Sequence, residues 1–336
     1  GQEPRIEFQY IKVQDGEGSY LWNDYNMDGE EQITEFEIAI FPNIGSYEKI
    51  SIFNNEFIST NRNVLNQSLK IEPSKFLNNK NSLLSRCIIS SRYRIDQKLL
   101  NQNDGGFIQP ISFNLENENL VAFQASFDHN LFFNRGNPKY DIQFAYRSVN
   151  NKLSQISGDE TRLSDQYYTR TRINLKKKVD VLLETALGNK KNDHSIFDNQ
   201  DYTLGFWNVI PQINFRPSSK MRIILKYKIE KNRNRIGMSE SSNINDGGID
   251  FTWRKSSQSN LKLEFNIVQI RYEGQRNTPI EFEMLQGLRN GRNLVWNFNY
   301  TRRLSNSIDM IVNYGGRKSE DSRLVHTAGV QMRAIF

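Results

Sequence analysis

The chain has 336 residues, 44 Lys and Arg against 38 Asp and Glu, a net charge of +6 and a mean hydropathy of −0.67. No run of about 18 apolar residues occurs, which excludes a membrane-crossing helix but not a transmembrane barrel, whose apolar residues stand at every second position. Basic residues alternate with apolar and acidic ones instead of clustering, so no nucleic-acid partner is expected, and the single cysteine, Cys87, can close no internal disulfide.

Residues 1–60 read as a small β-rich element. "RIEFQYIKV" alternates and predicts a short strand, and "DGEGSY" predicts a turn. The next stretch, "DYNMDGEEQITE", sets Asp24, Asn26, Asp28, Gly29 and Glu35 at positions 1, 3, 5, 6 and 12 of a twelve-residue loop. That is the spacing of a calcium loop, and calcium takes roughly six to eight oxygen ligands. The side chains of Asp24, Asn26 and Asp28 can converge, and Gly29 permits the sharp turn. Glu30 would offer its backbone carbonyl, Gln32 its side chain or a water, and Glu35 a bidentate carboxylate. The preceding "GEGSYLW" is not helical, so the expectation is a calcium loop set between strands, not a helix-pair sensor. A solvated acidic turn is the competing reading. "EIAIFPN" and "YEKISIF" complete the element.

From about residue 62 onward, period-two alternation dominates. In "KYDIQFAYRS", Tyr140, Ile142, Phe144 and Tyr146 oppose Asp141, Gln143, Ala145 and Arg147. In "MRIILKYKIE", Met221, Ile223, Leu225, Tyr227 and Ile229 share one face. "NLVWNFNYT" and "SIDMIVNYG" repeat the theme. The strands run about 10–14 residues, longer than the usual 5–6 of globular sheets. Short turns are expected at 78–82, 134–139, 175–179, 216–220, 255–260 and 304–307. Long polar connections are expected at 97–118, 148–164, 190–200, 231–247, 273–292 and 316–323, where "FIQPISF" and "IEFEML" could themselves be strands. The last segment, "HTAGVQMRAIF", puts Ala328, Val330, Met332, Ala334 and Phe336 on one face.

Short turns on one side and long loops on the other define the expected fold: all-β, an antiparallel transmembrane β-barrel of about 12–16 strands over residues 61–336. The count from the C-terminus is about 13, and single-chain bacterial barrels are normally even. Either one strand is missed, with 46–59 the first candidate, or strands upstream of Gly1 complete the barrel. With apolar faces toward lipid, residues such as Arg92, Arg147, Arg170, Glu184, Lys226, Glu230, Asp250, Lys262 and Glu264 point inward. Their mixed signs favour an ion-paired interior over an anion-selective channel. His129, His194 and His326 lie on separate segments without a metal or hydrolase motif, and no enzyme activity is expected.

"GEGSYLWNDYNMDGEEQITEFEIAIFP", "NQSLKIEPSK", "LFFNRGNPKYD", "EMLQGLRNGRNLVWN" and "YGGRKS…VHTAGVQMRAIF" resemble the C-terminal region of large outer-membrane proteins of Bacteroidota. The resemblance implies an outer-membrane barrel in contact with lipid, with the acidic loop as a calcium-stabilised junction. It implies no named substrate. Transport, secretion-associated and structural envelope roles, with envelope or secretion proteins as partners, are compatible with it. An outer-membrane hydrolase and a soluble β-rich adhesion protein remain as alternatives.

Overall fold

The computed structural model describes residues 1–77, 82–101, 111, 113–155, 158–195, 201–237, 239–255, 258–305, 307–320 and 322–334. In chain order the strands are β1 (Gln2–Lys12), β2 (Tyr20–Trp22), β3 (Phe36–Ile38), β4 (Tyr47–Ile71), β5 (Cys87–Leu100), β6 (Leu120–Phe133), β7 (Tyr140–Gln155) and β8 (Gly158–Lys176). They continue with β9 (Val179–His194), β10 (Tyr202–Ser218), β11 (Met221–Asn234), β12 (Ser241–Lys255), β13 (Ser259–Glu273), β14 (Gly291–Ser305), β15 (Ile308–Ser319) and β16 (Val325–Ala334). One helix, α1 (Pro279–Leu285), sits between β13 and β14.

The fold is all-β and antiparallel, as the alternation predicts. Strands β4 to β16 pair strictly with their chain neighbours, a thirteen-strand meander whose two margins are β4 and β16. β4 is one strand of 25 residues, and it serves two sheets. Its first half pairs with β1 and touches β2 in a small four-strand sheet, while Thr60–Ile71 pairs with β5. The segment 46–59 is therefore strand, fused to the one that follows it.

The strands are longer and the connections shorter than expected. β7 and β8 run on to a Gln155↔Gly158 pairing, so no long connection exists at 148–164. The connection expected at 231–247 shrinks to 235–240, and that at 316–323 to 320–324. "IEFEML" is helix, not strand. The turn expected at 78–82 lies outside the described residues except for Ser82, as does "FIQPISF" except for Ile111 and Phe113. At one end of the sheet, here the loop end, lie the connections 101–119, 195–201, 235–240, 274–290 and 320–324. At the other, the turn end, lie the hairpins 134–139, 177–178 and 219–220 and the longer 72–86.

Register makes the two faces explicit. Tyr140, Ile173, Val181, Ile213, Leu225, Ile249, Phe265 and Trp296 stand directly opposite one another across β7 to β14. A parallel row nearer the turn end runs Val179, Phe215, Ile223, Phe251, Leu263, Phe298, Tyr314 and Ala328. Many of these side chains are well exposed. The opposite face is polar, except at the loop end of β10, β12 and β13. There Leu204, Ile244, Val268 and Ile270 form an apolar patch under Ile280, Met284 and Leu285 of α1.

Candidate functional site

The acidic loop folds around its own oxygens. Asp24 accepts the N–H groups of Asp28 at 3.2 Å and Gly29 at 3.0 Å, and Asp28 accepts that of Glu30 at 2.7 Å. Asn26 Oδ1 accepts the Asp28 N–H at 3.0 Å. Gly29 takes φ +77°, a value that favours glycine, and makes the turn. Asp28 Oδ2 also receives the side-chain amides of Asn26 at 2.8 Å and Gln32 at 2.6 Å. The structure thus gathers Asp24, Asn26, Asp28 and Gln32. Glu30 enters this ring through its backbone N–H.

Glu35 is placed differently. It is 2% exposed. Its carboxylate accepts Trp22 Nε1–H at 2.8 Å and the backbone N–H groups of Tyr25 at 3.1 Å and Gln32 at 3.4 Å. It ties the two ends of the loop from beneath. Among the described residues no three acidic, His or Cys side chains converge on a single point. The oxygens of Asp24, Asn26, Asp28 and Gln32 nevertheless fit a hard cation in type. Asp28 Oδ2 takes two amide donors whose amide groups could turn over to present oxygen.

The loop is bound to the large sheet. Asn277 Nδ2 donates to the Asp24 carbonyl at 2.5 Å, from the connection that carries α1. That helix has a start signal that sequence reasoning can read. Thr278 accepts the Glu281 N–H at 3.2 Å, Pro279 follows it, and Glu281 accepts the Asn277 N–H. Arg317 of β15 lies 4.3 Å over the Phe41 ring. Within the small sheet, Tyr10 stacks on Phe36 at 4.0 Å, and Gly45 packs so closely on Gly18 that a Cβ would fall 1.8 Å from the Gly18 oxygen.

Between the small sheet and the polar face of β8 to β10 lies a cavity of about 390 Å³, lined among others by Tyr10, Glu37, Lys49, Glu160, Arg162 and Glu283. Arg162 pairs with Glu160 at 2.5 Å. Glu37 accepts the Tyr25 hydroxyl at 3.0 Å, and burial pushes its carboxyl up to about 7. Burial also pulls Lys49 below the usual lysine range. Its ammonium stands 4.0 Å from the centre of the Phe8 ring. Neither Glu37 nor Lys49 stood out in the sequence, because burial is what perturbs them.

The rest of the polar face is laced with ion pairs. Arg92 reaches Asp128 at 2.6 Å, Arg170 reaches Glu184 at 3.5 Å, Lys226 reaches Asp250 at 2.9 Å, and Lys228 reaches Glu230 at 2.7 Å. Lys262 pairs with Glu264 and Arg172 with Asp141. The expected pairing of mixed charges is present. The histidines stay apart: His129 bonds Ser91 Oγ at 3.1 Å, His326 bonds the Tyr314 hydroxyl at 2.8 Å, and His194 lines the cavity.

By its fold the chain belongs to the class of large antiparallel meander sheets with one apolar and one polar face. Two solved structures resemble it over nearly its whole length. One is the open form of the ferric-catecholate import receptor Fiu from E. coli K12, at 9% identity and TM-score 0.46, covering 98% of this chain and 62% of that one. The other is CdiB from Acinetobacter baumannii, at 9% identity and TM-score 0.42, covering 99% and 60%. The chain spans about three fifths of the length of either. Likenesses this distant carry no inference; the fold rests on the registers given above. No protein-family model and no curated protein matches the chain.

Proposed function

We propose that the large sheet is the wall of a bacterial outer-membrane β-barrel, plugged at its loop end by α1 and the small sheet. Its role is transport, secretion-associated or structural, without catalysis. One observation carries the reading: the row from Tyr140 to Trp296, eight directly opposed apolar side chains, most of them solvent-exposed. Soluble monomers rarely expose a contiguous apolar patch of more than a few hundred Å². On β10 the apolar face extends from Trp207 to Phe215, roughly 26 Å along the strand. That is close to the ~25 Å apolar band of a membrane barrel. Cell fractionation tests the reading: recovery in the soluble fraction without detergent would sink it.

The acidic loop is proposed to hold calcium through Asp24, Asn26, Asp28 and Gln32, with Glu30 contributing backbone and Glu35 fixing the loop's ends. The job is structural fixation of residues 20–40 against the sheet, supported by the Asn277–Asp24 bond. Calorimetric titration with calcium checks it, and an absence of heat and of any stability change in the native protein would end it. The enzymatic alternative is tested by assaying ester hydrolysis on the native chain and on His194→Ala. Turnover lost in the variant would favour the alternative over the proposal.

A further inference from the structure

The sheet has two bare margins, and they point the same way. Thr60–Ile71 of β4 and Val325–Ala334 of β16 both run from the loop end to the turn end, because an odd number of strands lies between the first and the last. A long unpaired edge is a row of free N–H and C=O groups, intolerable in lipid and aggregation-prone in water. Joining β4 directly to β16 would make a parallel pair in an otherwise antiparallel wall. A second copy cannot help. Two copies sharing one membrane orientation offer each other only edges that run in the same direction. What fits between the margins is one strand running from the turn end to the loop end.

The course of β1 shows where such a strand would come from. Thr60 donates its N–H to the Gly1 carbonyl at 2.7 Å and accepts the Gly1 N–H at 2.6 Å. The neighbouring Ser59 carbonyl instead accepts the N–H of Asn101, on the β5 side, at 2.9 Å. Successive residues of a strand point their backbone groups to opposite sides, so Thr60 faces away from β5. Gly1 therefore sits on the free edge of β4, just where the large sheet begins. β1 runs from there antiparallel to β4, Gln2 opposite Ser59 and Lys12 opposite Tyr47. Extended backward in the same register, residues leading into Gly1 would meet Asn61 first and Ile71 last.

We infer that the wall closes on one further strand, antiparallel to both β4 and β16, supplied by the stretch of the same polypeptide that leads into Gly1. It would make the wall fourteen-stranded, an even number, as single-chain bacterial barrels normally are. The inference rests on the proposed barrel for the need to close, and on the Gly1–Thr60 pairing for the identity of the strand.

The test uses the full-length polypeptide as its own cell makes it. A photoreactive benzoylphenylalanine replaces Leu69 on β4 in one variant and Val330 on β16 in another. Both positions are exposed and lie on the apolar face. After irradiation, mass spectrometry identifies the linked peptide. The expected result is the same peptide from both positions, encoded immediately before Gly1. Linkage of Leu69 to β16, linkage of either site to another protein, or no linkage at either edge would overturn the inference. So would N-terminal sequencing that finds the mature chain starting at Gly1. Fractionating the same samples separates this from the membrane reading. A shared upstream peptide in a soluble protein would keep the strand and sink the membrane. A membrane-bound protein with the wrong partner at its edges would do the reverse.

Discussion

Placing one charge on each face of the sheet tests the membrane reading most sharply. Leu225 is 49% exposed and central in the apolar row, with Ile213 and Ile249 opposite it on either side. In a soluble sheet, Leu225→Arg at so exposed a site would change stability by about 0.5 kcal/mol or less. At the midplane of a membrane barrel the same change costs about 2–4 kcal/mol. At ~1.4 kcal/mol per factor of ten, that is roughly 30- to 1,000-fold in the folding equilibrium. Gln212→Arg is the control. Gln212 lies on the polar face, its side-chain amide 3.3 Å from Glu184, so an arginine there gains a partner and costs little. The assay is urea-dependent folding into phospholipid vesicles, read by gel mobility without heating and by tryptophan fluorescence. The reasoning predicts a large loss for Leu225→Arg and a change within about 0.5 kcal/mol for Gln212→Arg. Small, equal effects at both positions would refute it, because the apolar face would then not be the lipid face.

Glu37 gives the small sheet a pH dependence. Its folded pKa of about 7 lies above the ordinary carboxyl value, so the stability it lends is complete in acid and is lost as pH rises through about 7. Hydrogen exchange of Trp22–Ile38 should quicken between pH 6 and 8, and Glu37→Gln should flatten that change. Removing Glu35 strands Trp22 Nε1 and two backbone N–H groups, so Glu35→Ala should loosen the loop by at least about 1–3 kcal/mol, with or without calcium. Asp24→Ala, whose partners are exposed, should matter only when calcium is present. Limited proteolysis in calcium and in chelator distinguishes the two variants. Met284 is fully buried at 0% exposure, and Met284→Ala should cost about 2–5 kcal/mol in thermal or urea unfolding. If α1 plugs the wall, deleting residues 275–289 should raise conductance in planar bilayers; unchanged conductance would count against the plug.

Face assignment was legible in the sequence wherever one face is apolar. The alternation of "MRIILKYKIE" and "NLVWNFNYT" maps onto β11 and β14 residue by residue. Strand ends were not legible. Asn150, Asn151, Lys152, Glu160 and Arg162 continue the β7–β8 ladder where both faces carry polar groups, so alternation vanishes while backbone pairing goes on. β4 hid its continuity in the same way, through Asn54, Asn55 and Glu56. Helix α1 was readable from Thr278, Pro279 and Glu281, but its apolar residues are too few to show a helical period. In the acidic loop, spacing brought Asp24, Asn26, Asp28 and Gln32 together correctly. The burial of Glu35 could not be read, because it depends on Trp22 and Tyr25 donating to it from the neighbouring chain.

How the two parts of the plug are held decides which would move first. Helix α1 is fastened by apolar burial: Ile280, Met284 and Leu285 against Leu204, Ile244, Val268 and Ile270. At about 1.5–3 kcal/mol for each buried side chain, three such residues contribute at most roughly 5–9 kcal/mol before the entropy of ordering a short connection. The small sheet is fastened to the wall mainly by polar contacts, among them the Asn277–Asp24 bond and the Arg317–Phe41 stacking, each worth about 0.5–2 kcal/mol. It also carries the buried carboxyl of Glu37, which becomes costly above neutrality. Opening that starts at the loop end would therefore release residues 1–46 before it releases α1. Hydrogen exchange checks the order. Amides of Tyr20–Ile38 should exchange through low-energy openings that rise with pH beyond the intrinsic rate. Amides of Phe282–Leu285 should exchange only with the wall itself. If α1 exchanges as readily as the small sheet, the helix is a loose lid, and the apolar patch beneath it is not what holds it.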